Sequence, residues 1–214
     1  MKKQILILFI SLFCFITIQA QEFRAGFTGG PTMSQVDGDT YAGFNKLGFS
    51  LGGFVSRQIS PSIDLQFDIS YIQKGARRAP NIEKAIYDDY EIDLGYIQFP
   101  VTARYHFRDF SVEGGIAIAT LLHDDEFWDE QSIKGNEGVP PFKSLEFSTV
   151  FGLNYHISER LWINGRLLYS LNRIRIPYDG ELEIYDPKKH WLSRKPGQYN
   201  NNIVFSVYYA INRL

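Results

Sequence analysis

The chain has a single cysteine, Cys14, only four histidines among its 214 residues, and no Pro- or Ser-rich linker. It also has no apolar run of about 20 residues, the length a spanning helix needs. Each absence removes a class of protein. The one apolar stretch, Ile5 to Ile18, is of the length of a secretory h-region. It follows Lys2 and Lys3 and ends at Ile18-Gln19-Ala20, a small-residue cleavage site. Residues 1–20 therefore read as a signal peptide, and residues 21–214 as one domain without disulfide or thiol chemistry. Cys14 is no lipoprotein attachment site, because bulky Leu12-Phe13 precede it where small residues belong. Charge is scarce too. The 22 Lys and Arg against 24 Asp and Glu give −2, and removal of Lys2 and Lys3 takes this to −4. Such mild acidity offers no footprint for nucleic acid.

What is present is alternation. Strand-length stretches at 22–33, 44–57, 62–75, 92–107, 110–122, 144–157, 160–175 and 199–213 carry apolar residues at every other position. Strand three reads Ile63, Leu65, Phe67, Ile69 and Tyr71 on one parity and Asp64, Gln66, Asp68 and Ser70 on the other. A period of two over so many segments predicts β structure. The connections alternate: tight turns around Pro61, Arg108-Asp109 and Ser158-Glu159, and long loops at 34–43, 76–91, 123–143 and 176–198. That rhythm predicts an all-β, eight-stranded antiparallel up-and-down transmembrane barrel with both termini on the turn side.

Three features assign the apolar parity to lipid rather than to a soluble barrel's core. The first is the asymmetry of tight turns and long loops, which suits a barrel anchored from one side. Aromatics gather at strand ends, with Tyr105, Phe107, Phe110, Tyr155 and Tyr209 near the turns and Tyr71 and Tyr169 near the loops. These are two candidate interfacial girdles. The polar parity almost lacks the lysine that a solvated exterior uses freely. It holds instead a near-balanced set: Arg24, Arg104 and Arg166 against Asp64, Asp68, Glu113 and Glu146. Buried charges have to be paired, so these residues are expected to form a network in the lumen.

The chain resembles the PorT-like family of small outer-membrane β-barrel proteins. The resemblance lies in Phe23-Arg24-Ala25-Gly26-Phe27-Thr28-Gly29-Gly30, Leu47-Gly48-Phe49-Ser50-Leu51-Gly52-Gly53-Phe54 and Ile69-Ser70-Tyr71-Ile72-Gln73-Lys74-Gly75. It continues through Tyr96-Ile97-Gln98-Phe99-Pro100-Val101 and Val112-Glu113-Gly114-Gly115. These short motifs mark strand geometry and carry no reaction. The resemblance implies an outer-membrane location with lipid as the surrounding partner. The family name comes from a component of a protein-secretion system. One departure is the C-terminus, Tyr208-Tyr209-Ala210-Ile211-Asn212-Arg213-Leu214, where many such barrels end on an aromatic.

Reactive constellations are weak. His106 and His156 have lumen parity near the turns, whereas His123 precedes Asp124 and Asp125, and His190 precedes Ser193. No spacing selects any of them as catalytic. Asp37-Gly38-Asp39 begins like a calcium loop, but Tyr41, Ala42 and Gly48 stand where a ligand, glycine and glutamate belong. The expectation is therefore of no enzyme, cofactor or metal site. Eight strands leave an interior just wide enough for side chains, which disfavours a porin. The long loops, with acidic Asp124, Asp125, Glu126, Asp129, Glu130 and Glu137 around Phe127 and Trp128, are the candidate surface for extracellular or envelope protein partners. A structural or binding barrel is the leading reading. An accessory of a secretion or envelope-assembly system is the second, and a barrel enzyme the third.

Overall fold

The structure, a computed structural model, describes residues 23–39, 43–84, 87–177 and 196–212. The signal segment with Cys14, the pair His190 and Ser193, and the loop aromatics Tyr178, Tyr185 and Trp191 lie outside these residues. Among the described residues there are nine strands: β1 Phe23–Asp37, β2 Lys46–Ser60, β3 Ile63–Arg78, β4 Tyr90–Phe107, β5 Phe110–Trp128, β6 Gln131–Ser132, β7 Leu145–His156, β8 Leu161–Ser170 and β9 Tyr199–Ala210. All pair antiparallel. The order β4-β3-β2-β1-β9-β8-β7-β5 closes on itself through a β4–β5 ladder, while two-residue β6 folds back on the tip of β5. The chain is thus a closed eight-stranded barrel with one short appended hairpin.

Closure satisfies the backbone hydrogen bonds without an edge, as a hydrocarbon environment requires. The ring closes between β1 and β9, with the Ile211 amide donating to the Ala25 carbonyl (2.9 Å). Asn212 reinforces this seam by accepting from the Ala25 amide (2.8 Å) and donating to the Phe23 carbonyl. Prolines thin the ladders locally. The β1–β9 register skips from Gly29 to Thr32 around Pro31, and the β3–β4 register skips from Phe67 to Ser70 opposite Pro100. A proline has no N–H to give the ladder. Gly115 permits close strand approach: a Cβ there would lie 2.0 Å from the Val101 carbonyl oxygen.

Parity sorts the side chains. Phe27, Leu51, Phe67, Ile116, Phe151, Leu153, Phe205 and Val207 are exposed on the outer wall, whereas Gln66, Asp68, Arg104, Asn154, Asn164 and Asn202 are buried. Such a polar inside and apolar outside is the reverse of a soluble barrel.

The strand ends differ from the sequence reading on the loop side. β1 continues to Asp37, β3 to Arg78 and β5 to Trp128, and β4 begins at Tyr90. The expected loops at 34–43, 76–91 and 123–143 are therefore sheet in part. The reason is pairing between polar residues beyond the apolar band. Lys46 reaches Glu91 (2.6 Å) and Asp93 (3.2 Å), and Arg77 reaches Asp89 (3.6 Å). In the opposite sense, β8 ends at Ser170 rather than at 175, and only an isolated Arg175–Gln198 bridge continues the chain pairing above it. β4 and β5 have 18 and 19 residues, well beyond the 9–11 that a membrane crossing uses.

Candidate functional site: the filled lumen and its two ends

The lumen is built in layers from inward-pointing positions. At the turn side an aromatic layer comprises Phe54, Trp162 and Tyr208, with Trp162 stacked on Tyr208 at 5.3 Å between ring centres. The Arg104 guanidinium lies 5.3 Å from the Trp162 ring and 5.5 Å from that of Tyr208.

Above it sits a charged layer. Arg104 stands directly opposite Glu113 in the β4–β5 ladder, and its Nε donates to that carboxylate at 3.0 Å. Arg166 crosses the lumen to bridge two carboxylates, donating to Asp68 at 2.6 Å and, from Nε, to Glu113. Asn164 (3.0 Å) and Asn154 (3.3 Å) complete the Glu113 shell. Tyr208 Oη (3.1 Å) and Gln66 donate to Asp68. Several hydrogen bonds to each carboxylate are what makes such a buried charge tolerable. The space left in this layer is a cavity of about 10 Å³, at the limit of what holds one water.

Toward the loops the lumen turns apolar, with Ile72, Leu94, Tyr96, Val150, Leu168 and Val204 buried together. One ion pair, Lys74 to Glu146 at 2.7 Å with both side chains fully buried, is embedded among them. Ser148 (2.6 Å) and Asn200 (2.6 Å) supply the other bonds to Glu146. A final pair closes the loop-side mouth: Arg175 donates to Glu126 at 2.6 Å and to Gln198 at 2.9 Å. Its guanidinium lies 4.2 Å from the ring centre of Phe142, which packs onto the apolar layer.

The residues singled out in the sequence therefore fall into several groups. Arg104, Arg166, Asp68 and Glu113 meet in one cluster. Glu146 lies in a higher layer with Lys74 as its partner, rather than an arginine. Asp64 faces His106 (Nε2 to Oδ1, 3.0 Å), and Arg24 forms no ion pair among the described residues. Separation along the barrel axis explains the split, since charges several residues apart on their strands cannot share one layer. Lys74 was legible by parity, being inward with Asp68 and Ser70. The Arg175–Glu126 pair was not, because Arg175 follows the end of β8 and has no strand period.

Tyr105, Phe107, Phe110, Tyr155 and Tyr209 are exposed around the turn side, with Phe110 packed on Tyr155 at 5.1 Å. Tyr71 and Tyr169 are half-buried near the loop side. His123 lies on the outer wall, 6.4 Å from the Tyr71 ring, over Gly95, whose missing side chain makes room for it. Asp124 engages Lys134 at 2.9 Å. Gly38, with φ of 93°, makes Asp37-Gly38-Asp39 a turn. Among the described residues no group of His, Cys, Asp and Glu is arranged to hold a metal ion.

A closed antiparallel barrel with an apolar outer wall, a polar filled lumen, tight turns at one end and long hairpins at the other defines a transmembrane barrel of outer-membrane type. The chain belongs to the outer membrane protein beta-barrel domain family, whose model matches residues 19–175, and the family places it in the lipid of the outer membrane. Among solved structures it is similar to Neisserial surface protein A, at 11% identity and a TM-score of 0.51 over 87% of this chain and 96% of that one. It is also similar to Ail, the attachment invasion locus protein of Yersinia pestis, at 12% identity and a TM-score of 0.47, over 89% and 99%. No curated protein matches the chain.

Proposed function

We propose that this protein is a plugged outer-membrane anchor that presents its long hairpins as a binding surface, with a structural role in the envelope. The observation that supports this most directly is the closure of the lumen by paired charge and packed apolar side chains, Arg166 with Asp68 and Glu113, then Lys74 with Glu146, then Arg175 with Glu126. A wall that conducts nothing leaves its exposed ends to act. β4 and β5 carry seven or eight residues more than a crossing needs, roughly 25 Å of strand. At their tips Tyr87, Ile82 and Trp128 are exposed, and exposed aromatics favour partner recognition. In this reading residues 1–20 are removed on export, residues 21–214 form the barrel domain, the hairpins face outward from the cell, and the protein catalyses no reaction. The aromatic rings at the two ends act as girdles.

The test is to replace residues 76–91, 123–143 and 176–198 by tight turns, one segment at a time. Insertion, read as heat-dependent gel migration, is retained, while partner capture at the cell surface is lost. Full capture by all three single-segment variants would refute the reading. Membership of the PorT-like group, with service to a secretion or assembly system, is the second reading. It rests on the short motifs above, and co-purification of secretion components with the native barrel decides it.

A further inference from the structure

The outer wall is not evenly covered. Most of its lipid-facing positions carry Leu, Ile, Val or Phe, but a groove of about 460 Å³ is cut into it across β7, β8, β9 and β1. Two rows of the ladders form this groove. Tyr155 stands beside Ile163, then Val207, then Gly29, and Leu153 stands beside Gly165, then Phe205. Inward-pointing Asn164 and Ser206 also border it, so the groove reaches down to the backbone of the sheet. It runs obliquely. Tyr155 is next to the last residue of β7 at the turn side, whereas Gly29 and Pro31 lie near the middle of β1. The groove therefore climbs from the turn-side girdle toward the centre of the wall.

Packing within the sheet does not demand this gap. A Cβ on Gly165 would meet only the Phe205 ring, at 3.8 Å, and one on Gly29 would first meet the flexible end of Leu51, at 3.1 Å. Gly30 is different, since a Cβ there would lie 2.0 Å from the Phe205 carbonyl oxygen, where the β1–β9 ladder breaks beside Pro31. The fold thus needs one of the three glycines and tolerates a side chain at the others. Glycine inside a strand weakens it, and often marks a place where a ligand approaches closely. The groove continues the wall that the family places in lipid, and no charged residue lines it. Within hydrocarbon no hydrophobic force favours binding. Dispersion contact does, and a chain lying in a groove touches protein on three sides rather than one.

We infer that this groove is a binding site for one acyl chain of a phospholipid in the turn-side leaflet. The glycerol end of the chain lies beside Tyr155, and its methyl end points toward Gly29 and Pro31. Three observations select this occupant: the apolar lining, the start at the girdle where headgroups sit, and continuity with the hydrocarbon-facing wall. A second barrel would bring a convex wall, which meets the rim of a groove but leaves its floor empty. Recognition here is of the chain and not of the headgroup. The site is independent of the loop surface, so loop deletion leaves it intact.

The experiment uses the refolded barrel in phosphatidylcholine vesicles that contain a trace of photoreactive phosphatidylcholine. Its diazirine sits either near the glycerol or near the methyl end of one chain. After illumination, adducts are located by mass spectrometry of peptides. Labelling of the groove should exceed that of the β5 wall at Ile116 and Ile118. The glycerol-end probe should mark Tyr155 and Ile163, and the methyl-end probe Gly29 and Pro31. Gly165→Leu fills the groove with an apolar side chain and should bring its labelling down to the β5 level. Gly165→Ala should lower it in part, and serves if leucine impairs refolding. Native mass spectrometry from micelles should show one phospholipid retained by the parent and lost from the filled variant. Groove labelling equal to that of β5 in the parent, or unchanged in both variants, overturns the inference. Reversed positions of the two probes overturn the assignment to the turn-side leaflet. A barrel dimer that Gly165→Leu disperses, with no lipid retained, overturns the inference in favour of a second copy.

Discussion

Replacing Arg166 by methionine should be among the most destabilising single changes available to this barrel. The side chain is the cation that Asp68 holds and one of two that Glu113 holds, at 2.6 Å for the first. Both carboxylates are nearly inaccessible, at 1% and 4%. Methionine retains much of the packing against Tyr208, whose ring lies 5.5 Å from the guanidinium, so the loss is mainly electrostatic. Glu113 would keep Arg104 and two asparagines, whereas Asp68 would keep only Gln66 and Tyr208. Stranding one buried charge in this way costs about 3–5 kcal/mol. At a urea dependence of about 2 kcal/mol per molar, the unfolding midpoint falls by roughly 2 M. Reversible unfolding in lipid vesicles, read by tryptophan fluorescence, measures it. The double variant Asp68→Asn with Arg166→Met should recover most of the loss, because the uncompensated charge is gone. An Arg166→Met barrel within 1 kcal/mol of the parent, or a double variant whose losses simply add, would refute the reasoning.

Three further outcomes follow from the same structure. Lys74→Met strands Glu146 in an apolar layer and should cost about as much as Arg166→Met, with recovery in the Glu146→Gln double variant under the same unfolding assay. Ile116→Lys, on the outer wall at 59% exposure, should lower stability in vesicles by about 2–4 kcal/mol if it lies at mid-membrane, and by much less in a soluble setting. Planar bilayers containing the purified protein should show no stepwise conductance, since paired charges and packed side chains occupy the lumen at successive heights; stable ion-conducting openings would contradict the plug.

Much of the architecture was legible because it is periodic. Alternation such as Asp64-Leu65-Gln66-Phe67-Asp68 commits each residue to one wall, and a slip of one position would turn every carboxylate toward lipid. The eight barrel strands, the three tight turns and the inward set Arg104, Glu113 and Arg166 all follow from that rule. Strand ends did not follow, since β3, β4 and β5 extend through cross-strand charge pairs, such as Lys46 with Glu91, that carry no apolar period. Partner choice was also hidden. Parity states that Glu146 and Arg24 face inward, but their heights along the axis depend on the stagger of the closed ring, which sequence alone does not display. For that reason Glu146 meets Lys74, and Arg24 forms no ion pair among the described residues. Trp162, Tyr208 and Phe54 share the inward parity of Asn164, Ser206 and Ser56, but their meeting in one layer depends on the same stagger.

The central claim is that the apolar parity faces hydrocarbon while the polar parity fills a closed lumen. Residues 21–214 contain no cysteine, so single cysteines placed in turn along 145–155 of β7 can carry a nitroxide without background. Relative accessibility to oxygen and to a water-soluble nickel complex, measured in lipid vesicles, tests the claim most directly. Labels at Phe147, Phe151 and Leu153 should report oxygen-rich, nickel-poor hydrocarbon, alternating with sites such as Ser148 and Asn154 that neither reagent reaches. Nickel accessibility at Phe151 and Leu153 equal to that of a surface loop would mean that this wall faces water, and would contradict the account.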